Sequence, residues 1–197
     1  MLEWLGDVFK VVVCASGGGG NFRAIAAGAR TKDSSYVVTR LIVDRECPAR
    51  RVAEEFNIPA VTLEFRSRSG DPVDLLPEVP VGTDLVVLAG FMSIVSKQTT
   101  SKLEGRIINT HPSLLPKHGG VGMFGVNVHR AVLDSGDKWT GCTVHYVNQF
   151  IDEGPVIAQR RIRVIRGETA WGLGSRVFDL EGPLLVEIIR QFSLRKA

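Results

Sequence analysis

Five apolar residues, Val11-Val12-Val13-Cys14-Ala15, follow Lys10 and run directly into Ser16-Gly17-Gly18-Gly19-Gly20-Asn21. A strand without polar alternation is buried on both faces. A sheet buried on both faces is mostly parallel, with crossover helices on each side. After the glycines, Phe22 to Ala29 carry a helical stripe at Phe22, Ile25, Ala26 and Ala29. Strand, glycine loop and helix together present main-chain N–H groups at a helix N-terminus, where a phosphate is favoured. The loop lacks the Gly-Lys-Ser/Thr of a Walker motif, and Phe22 stands where a dinucleotide loop needs its third glycine.

The alternation continues. Val37 to Val43 read as a second strand, Ala49 to Phe56 as an amphipathic helix and Ala60 to Leu63 as a third strand. Asp44 is placed either to bind a ribose or to cap the helix that follows, and the cap is the expected role. Pro72, Pro77 and Pro80 leave room for at most a short helix around 72–76, and Ser67 to Gly70 read as an exposed loop. Asp84 to Ala89 form a fourth strand that runs into Gly90 to Val95, whose apolar side chains can wall a flat heterocycle but are more often core. Further helices are expected at Lys97–Leu103 and Val126–Leu133, the latter with His129 in a structural role. Strands are expected at Thr140–Val147 and Val156–Ile165. Glu168 to Phe192 read as two helical pieces with a kink or break at Gly182-Pro183. The fold class is α/β: a mostly parallel twisted sheet flanked by helices, with an antiparallel C-terminal part.

The chemistry concentrates in Asn109-Thr110-His111-Pro112-Ser113-Leu114-Leu115-Pro116, which follows the buried-strand residues Ile107-Ile108. Side chains two apart on an extended segment share a face, and Pro112 keeps His111 extended. Asn109 and His111 therefore present an amide and an imidazole to one place. An imidazole moves protons near neutral pH and an amide donates to a developing oxyanion, the combination that acyl transfer requires, although Asn-x-His taken alone reads more often as a strand end with a hydrogen-bonded histidine. Asp152 sits in a loop closed by Glu153-Gly154-Pro155, which taken alone reads as a turn and nothing more; the loop also leaves Asp152 free to sit against His111, where a carboxylate suits the ring to act as acid and base in turn. Four glycines between Gly119 and Gly125 make a loop suited to cover the site.

At 197 residues and 44% hydrophobic, the chain is expected to form one domain, with a phosphate-binding half at about 10–105 and a catalytic half at about 106–197. A net charge of +3, with Arg160, Arg161, Arg163 and Arg166 alternating like the wet face of a strand, gives no nucleic-acid footprint. Cys14, Cys47 and Cys142 have no ligand-like or disulfide-like spacing, and no run approaches the ~20 apolar residues of a membrane span. A cytoplasmic protein without membrane or metal, monomeric or homodimeric, is the expectation.

SGGGGN at 16–21, LAGFM at 88–92, GRIINTHPSLLP at 105–116, and Thr143-x-His145 followed by Asp152-x-Gly154-Pro155 resemble the folate-dependent formyltransferases. Within them, the chain is similar to the branch that formylates glycinamide ribonucleotide. The resemblance runs from about Lys10 to the C-terminal helix. It implies a Rossmann-like formyltransferase fold and transfer of a formyl group from 10-formyltetrahydrofolate to the ribonucleotide's amine, in purine synthesis. It further implies Asn109, His111 and Asp152 as catalytic residues, Gly19, Gly20 and Asn21 at the phosphate, and Phe178, Asp179, Leu180 and Glu181 at other groups of the ribonucleotide. Arg68, Met92, Ser93, Ile94, Val95, Asn109, Asn148, Gln149, Phe150, Ile151 and Asp152 would line the folate site, with His145 a supporting or folate-facing histidine.

The chain departs from the family at four places. A hydroxyl residue is usual where Gly20 stands, an arginine is common where Ser93 stands, the Gly119–Gly125 loop is longer than in the shortest members, and Gly182 after Glu181 is unusual. Two other readings share some of these residues. A formyltetrahydrofolate hydrolase has the Asn-x-His core together with an N-terminal regulatory domain, for which 197 residues leave no space. A nucleotide-binding module without catalysis would keep the glycine loop alone.

Overall fold

The computed structural model describes residues 8–63 and 71–196. Its strands are β1 (Phe9–Ala15), β2 (Tyr36–Val43), β3 (Ala60–Thr62), β4 (Leu85–Leu88), β5 (Ile107–His111), β6 (Trp139–Tyr146) and β7 (Val156–Arg163). Its helices are α1 (Gly20–Gly28), α2 (Ala49–Glu55), α3 (Lys97–Lys102), α4 (Val126–Asp134) and α5 (Ala170–Lys196). The strands form one sheet in the order β3-β2-β1-β4-β5-β6-β7, parallel from β3 to β5 and antiparallel at β6 and β7. From β1 the chain builds outward to β2 and β3, then returns to place β4 on the other side of β1. The loops leaving β1 and β4 consequently diverge and open a crevice at the strands' C-terminal ends.

The uninterrupted apolar run of β1 is explained by two cores. Val11 and Val13 join Leu41, Leu85 and Val87 against Phe22 and Ile25 of α1 and Leu184, Leu185, Ile188 and Ile189 of α5. Val12 and Cys14 point the other way, against Ile42, Val86, Leu75, Leu103 and Ile107. Each such side chain fully removed from water contributes about 1.5–3 kcal/mol of transfer free energy. β7 is an edge strand, and its arginines are exposed as expected; Arg160 pairs with Glu187, and Arg161 lies 5.0 Å over the Trp139 ring.

Three expectations are corrected. α5 is one helix of 27 residues with Pro183 inside it, rather than two pieces broken at Gly182-Pro183. Proline costs the helix one internal hydrogen bond, but the buried residues on either side of the break pack on the same core, and Gly182 lies so close to α1 that a Cβ there would sit 2.8 Å from that of Ala24. Around 72–76 there is no α-helix: Val73 bridges Val95 in extended form, and only Leu76–Glu78 make a 3₁₀ turn. Asp44 does not cap α2, which begins from Pro48 without a side-chain cap. The Asp44 carboxylate instead accepts from Arg45 and from the Ser93 hydroxyl.

Candidate active site

A cavity of about 600 Å³ fills the crevice. The glycine loop after β1 forms one wall, Leu88 to Val95 after β4 a second, the end of β5 the floor, and the 120–125 and 147–152 loops the far side. The first two walls are tied together: Ser16 N donates to the Gly90 carbonyl at 3.0 Å, Met92 N to Ser16 Oγ at 2.7 Å, and Ser93 Oγ to Asp44 Oδ2 at 2.8 Å. Burial works to raise the Asp44 pKa, but hydrogen bonds from Arg45, Ser93 and Ser16 and the Arg45 charge outweigh it and hold the carboxyl below its usual range.

On the floor, Asn109 and His111 extend from β5 toward the same face, opposite His145 and Thr143 of β6. His145 Nδ1 donates to the Tyr146 carbonyl at 2.8 Å, so its Nε2 is an acceptor, and Asn109 Nδ2 donates to it at 3.2 Å. The amide orientation is thereby set, and its second N–H is left for another acceptor. Burial pushes the His145 pKa down, against the Tyr146 carbonyl and the Asp152 charge, which keeps this ring neutral and able to accept.

His111 is buried, with Nε2 donating to the His118 carbonyl at 2.8 Å and Nδ1 3.3 Å from Asp152 Oδ2. The carbonyl fixes a proton on Nε2 and leaves Nδ1 as the nitrogen that exchanges one. Scaffolding behind this geometry comes from Thr143, whose hydroxyl donates to the Ser113 carbonyl at 2.6 Å and accepts from Leu115 N at 3.0 Å and Gln159 Nε2 at 2.9 Å. Lys117 and His118 are pinned by Asp137 at 2.8 and 2.9 Å, and hydrogen bonds from these two residues bring the Asp137 pKa down to about 2. Asp152 adopts a positive φ of 59°, and its Oδ2 also accepts from Gly120 N at 3.0 Å. The turn that presents Asp152 is seated by Gly154, where any Cβ would fall on the Tyr146 carbonyl.

Comparison with known proteins places this architecture. The sequence model of the formyl transferase family matches residues 9–189. The chain belongs to the formyl transferase family. It is 34% identical over 190 residues to the phosphoribosylglycinamide formyltransferase of Escherichia coli (strain K12), covering 93% of this chain and 87% of that protein. It is 35% identical over 188 residues to the chloroplastic phosphoribosylglycinamide formyltransferase of Arabidopsis thaliana, covering 91% of this chain but 64% of that longer protein. The crystal structure of glycinamide ribonucleotide transformylase 1 from Symbiobacterium toebii superposes with a TM-score of 0.83 at 32% identity, over 98% of this chain and 91% of that one.

In this member of the family, the remaining expected site residues divide. Gly19, Gly20 and Asn21 line the cavity, as do Met92, Ser93, Ile94, Val95, His145 and Asn148 to Asp152. The expectation that the residues after β4 are core holds for Phe91 and in part for Val95, which packs against the same cluster; Met92 and Ile94 are each 48% exposed and form an apolar wall instead. Ser93 lines the cavity but spends its hydroxyl on Asp44. Phe178 and Glu181, three apart on α5, face the cavity, whereas Asp179 is exposed to solvent and Leu180 packs toward the core, because neighbours on a helix cannot share a face. Arg68 lies outside the described residues. Glu181 is buried and accepts from Asn21 Nδ2 at 2.6 Å; burial, opposed by that bond, pushes its carboxyl pKa up to about 7.

Sequence reasoning missed Gly174 and His129. Both line the cavity, and His129 Nδ1 is buried without a hydrogen-bond partner. Burial, and then the His111 charge, lower the His129 pKa. The available signal was its i, i+3 offset from Val126 and Val132 on α4, which suggests packing rather than a cavity wall.

Proposed function

We propose that this chain transfers the formyl group of 10-formyltetrahydrofolate to the amine of glycinamide ribonucleotide, a step of de novo purine synthesis. The observation that carries the reading is the convergence of Asn109, His111 and Asp152 on the floor of one cavity, between a glycine loop at a helix N-terminus and an apolar wall. A cavity of about 600 Å³ with a few convergent polar groups is of the size that holds a substrate of this kind. Met92, Ile94, Val95, Phe150 and Ile151 would flank the flat folate ring, with Asn148 and Asp152 meeting its polar edge. The main-chain N–H groups of Gly19 to Asn21 would hold the ribonucleotide phosphate, and Glu181 its hydroxyls.

The folate co-substrate supplies an activated formyl group when bound. His111 Nδ1 accepts the proton that the acceptor's nitrogen loses as its bond to the formyl carbon forms. Asp152, 3.3 Å away, stabilises the resulting imidazolium. Asn109 directs its free amide N–H at the oxyanion, held in place by neutral His145; a donor of this kind is worth about 2.7–4 kcal/mol. His111 then returns the proton to the departing nitrogen. All three cysteines are free thiols, in keeping with a reducing compartment such as the cytoplasm.

Incubation with isotopically labelled formyl-folate and glycinamide ribonucleotide, followed by mass spectrometry, tests the reading. Label in the ribonucleotide supports it. Label released only as formate would favour the hydrolase and sink the transferase.

A further inference from the structure

His129 is a buried imidazole that takes no part in the proton transfers assigned to His111. It lines the cavity at 6% exposure, and no hydrogen bond from the described residues reaches its ring. Nδ1 is sealed in without a partner, which leaves Nε2 as the nitrogen that meets the cavity. A buried N–H without an acceptor is rarer than an unused lone pair, so Nδ1 is bare and the proton sits on Nε2. Burial, and then the His111 charge, lower the pKa and keep the ring neutral. The cavity therefore receives one uncharged N–H donor from α4.

Gly174 gives the ring its place. A Cβ at 174 would lie 2.7 Å from His129 Cδ2 and 3.0 Å from Nε2, so this edge of the ring fills the position of the missing side chain. Residues 174, 178 and 181 fall on one stripe of α5, and all three line the cavity. The stripe thus presents, in order, the His129 Nε2–H, the Phe178 ring and the Glu181 carboxyl. Thr110 is a polar side chain on the same side of the sheet, since it lies opposite Val144, which belongs to the core beneath α5. Its hydroxyl is sealed in and unpartnered. Asn109 and His111 alternate to the other side.

In the assignment above, the acceptor's amine meets His111, its hydroxyls meet Glu181 and its phosphate meets Gly19 to Asn21. The amide that joins the amine to the ribose must then cross the space between His111 and Glu181. An amide carbonyl taken out of water needs a donor, and His129 is the side chain on this side of the cavity that offers one. Resting on that reading, we propose that His129 is an acceptor-binding residue whose Nε2–H donates to the carbonyl oxygen of the glycinamide unit. The contact fixes the amide and so aims the neighbouring amine at the formyl carbon.

Kinetics of the wild type with formyl-folate and glycinamide ribonucleotide come first. If the ribonucleotide is not formylated, the transferase reading falls and takes the proposal with it. Given turnover, His129→Leu keeps the bulk and loses the donor. It should raise the ribonucleotide KM roughly 5- to 100-fold, the cost of leaving a buried carbonyl unpaired, and leave the KM for formyl-folate unchanged. His129→Gln, whose Nε2 can donate from near the same place, should restore most of the loss. An unchanged ribonucleotide KM in His129→Leu overturns the proposal while the transferase reading stands. An equal rise in both KM values that glutamine does not repair also overturns it, because packing alone would do that. Where the variants fail to fold, the wild type decides. With isotopically labelled imidazole nitrogens, NMR should find the His129 proton on Nε2, and its resonance should move with the ribonucleotide but not with formyl-folate alone. A proton on Nδ1, or a resonance that the ribonucleotide leaves in place, refutes the assignment.

Discussion

Glu181→Gln isolates the cost of keeping a carboxylate in the acceptor corner. The Glu181 carboxyl is buried, and its pKa is pushed from 4.5 to about 7. The folded state therefore holds this proton more tightly than the unfolded chain does. Stability from that preference is complete below pH 4.5 and is lost as pH rises to about 7. At about 1.4 kcal/mol per unit the full loss is roughly 3 kcal/mol, of which about 2–3 kcal/mol falls between pH 5 and 8.5. Glutamine stays neutral, and its Oε1 can still accept from Asn21. Relative to the wild type, Glu181→Gln should thus gain about 2–3 kcal/mol from pH 5 to pH 8.5, a relative Tm gain of roughly 5–10 °C for a chain of this size. Denaturant unfolding of both proteins at the two pH values measures it. A stability difference that does not change with pH, or one that moves against the variant as pH rises, would refute the reasoning.

Other substitutions probe the catalytic floor. Asn109→Ala removes the oxyanion donor and should lower kcat by about 10²–10³-fold while leaving stability near wild type, as steady-state kinetics and melting would record. Gly154→Ala forces the 152–155 turn off the Tyr146 carbonyl and so moves Asp152 away from His111; a large loss of kcat with a smaller loss of Tm is expected, and unchanged turnover would show that Asp152 is not held this way. Thr143→Val leaves the Ser113 carbonyl and Leu115 N without their buried partner and should cost about 1–3 kcal/mol in denaturant unfolding.

The parallel half of the fold was legible because its strands are buried on both faces. VVVCA and DLVVLA read as strands without reference to any partner, and their two-sided packing is what the structure shows. Asn109 and His111 could be placed on one face from strand periodicity, whereas Asp152, in a turn that reads as a turn alone, joined them through the resemblance. Three features were not legible, for related reasons. Pro183 predicts a break, and only the packing of α5 on both sides of it shows that the helix continues. Asp44 looked like a cap because its acceptor role depends on Ser93, 49 residues away. His129 reads as structural because one helix face can line both a core and a cavity. The scaffolding of His111 by the His118 carbonyl, and of the 113–117 turn by Thr143 and Gln159, depends on main-chain geometry that has no signature in residue identity.

The central claim is that His111 drives formyl transfer to glycinamide ribonucleotide. The most direct measurement follows the ultraviolet absorbance of a formyl-folate with and without the ribonucleotide, for the wild type and His111→Ala. The account predicts a change for the wild type only when both substrates are present, slowed by a factor of about 100 or more in the variant. A change that needs no ribonucleotide, or near-normal turnover in His111→Ala, would contradict it.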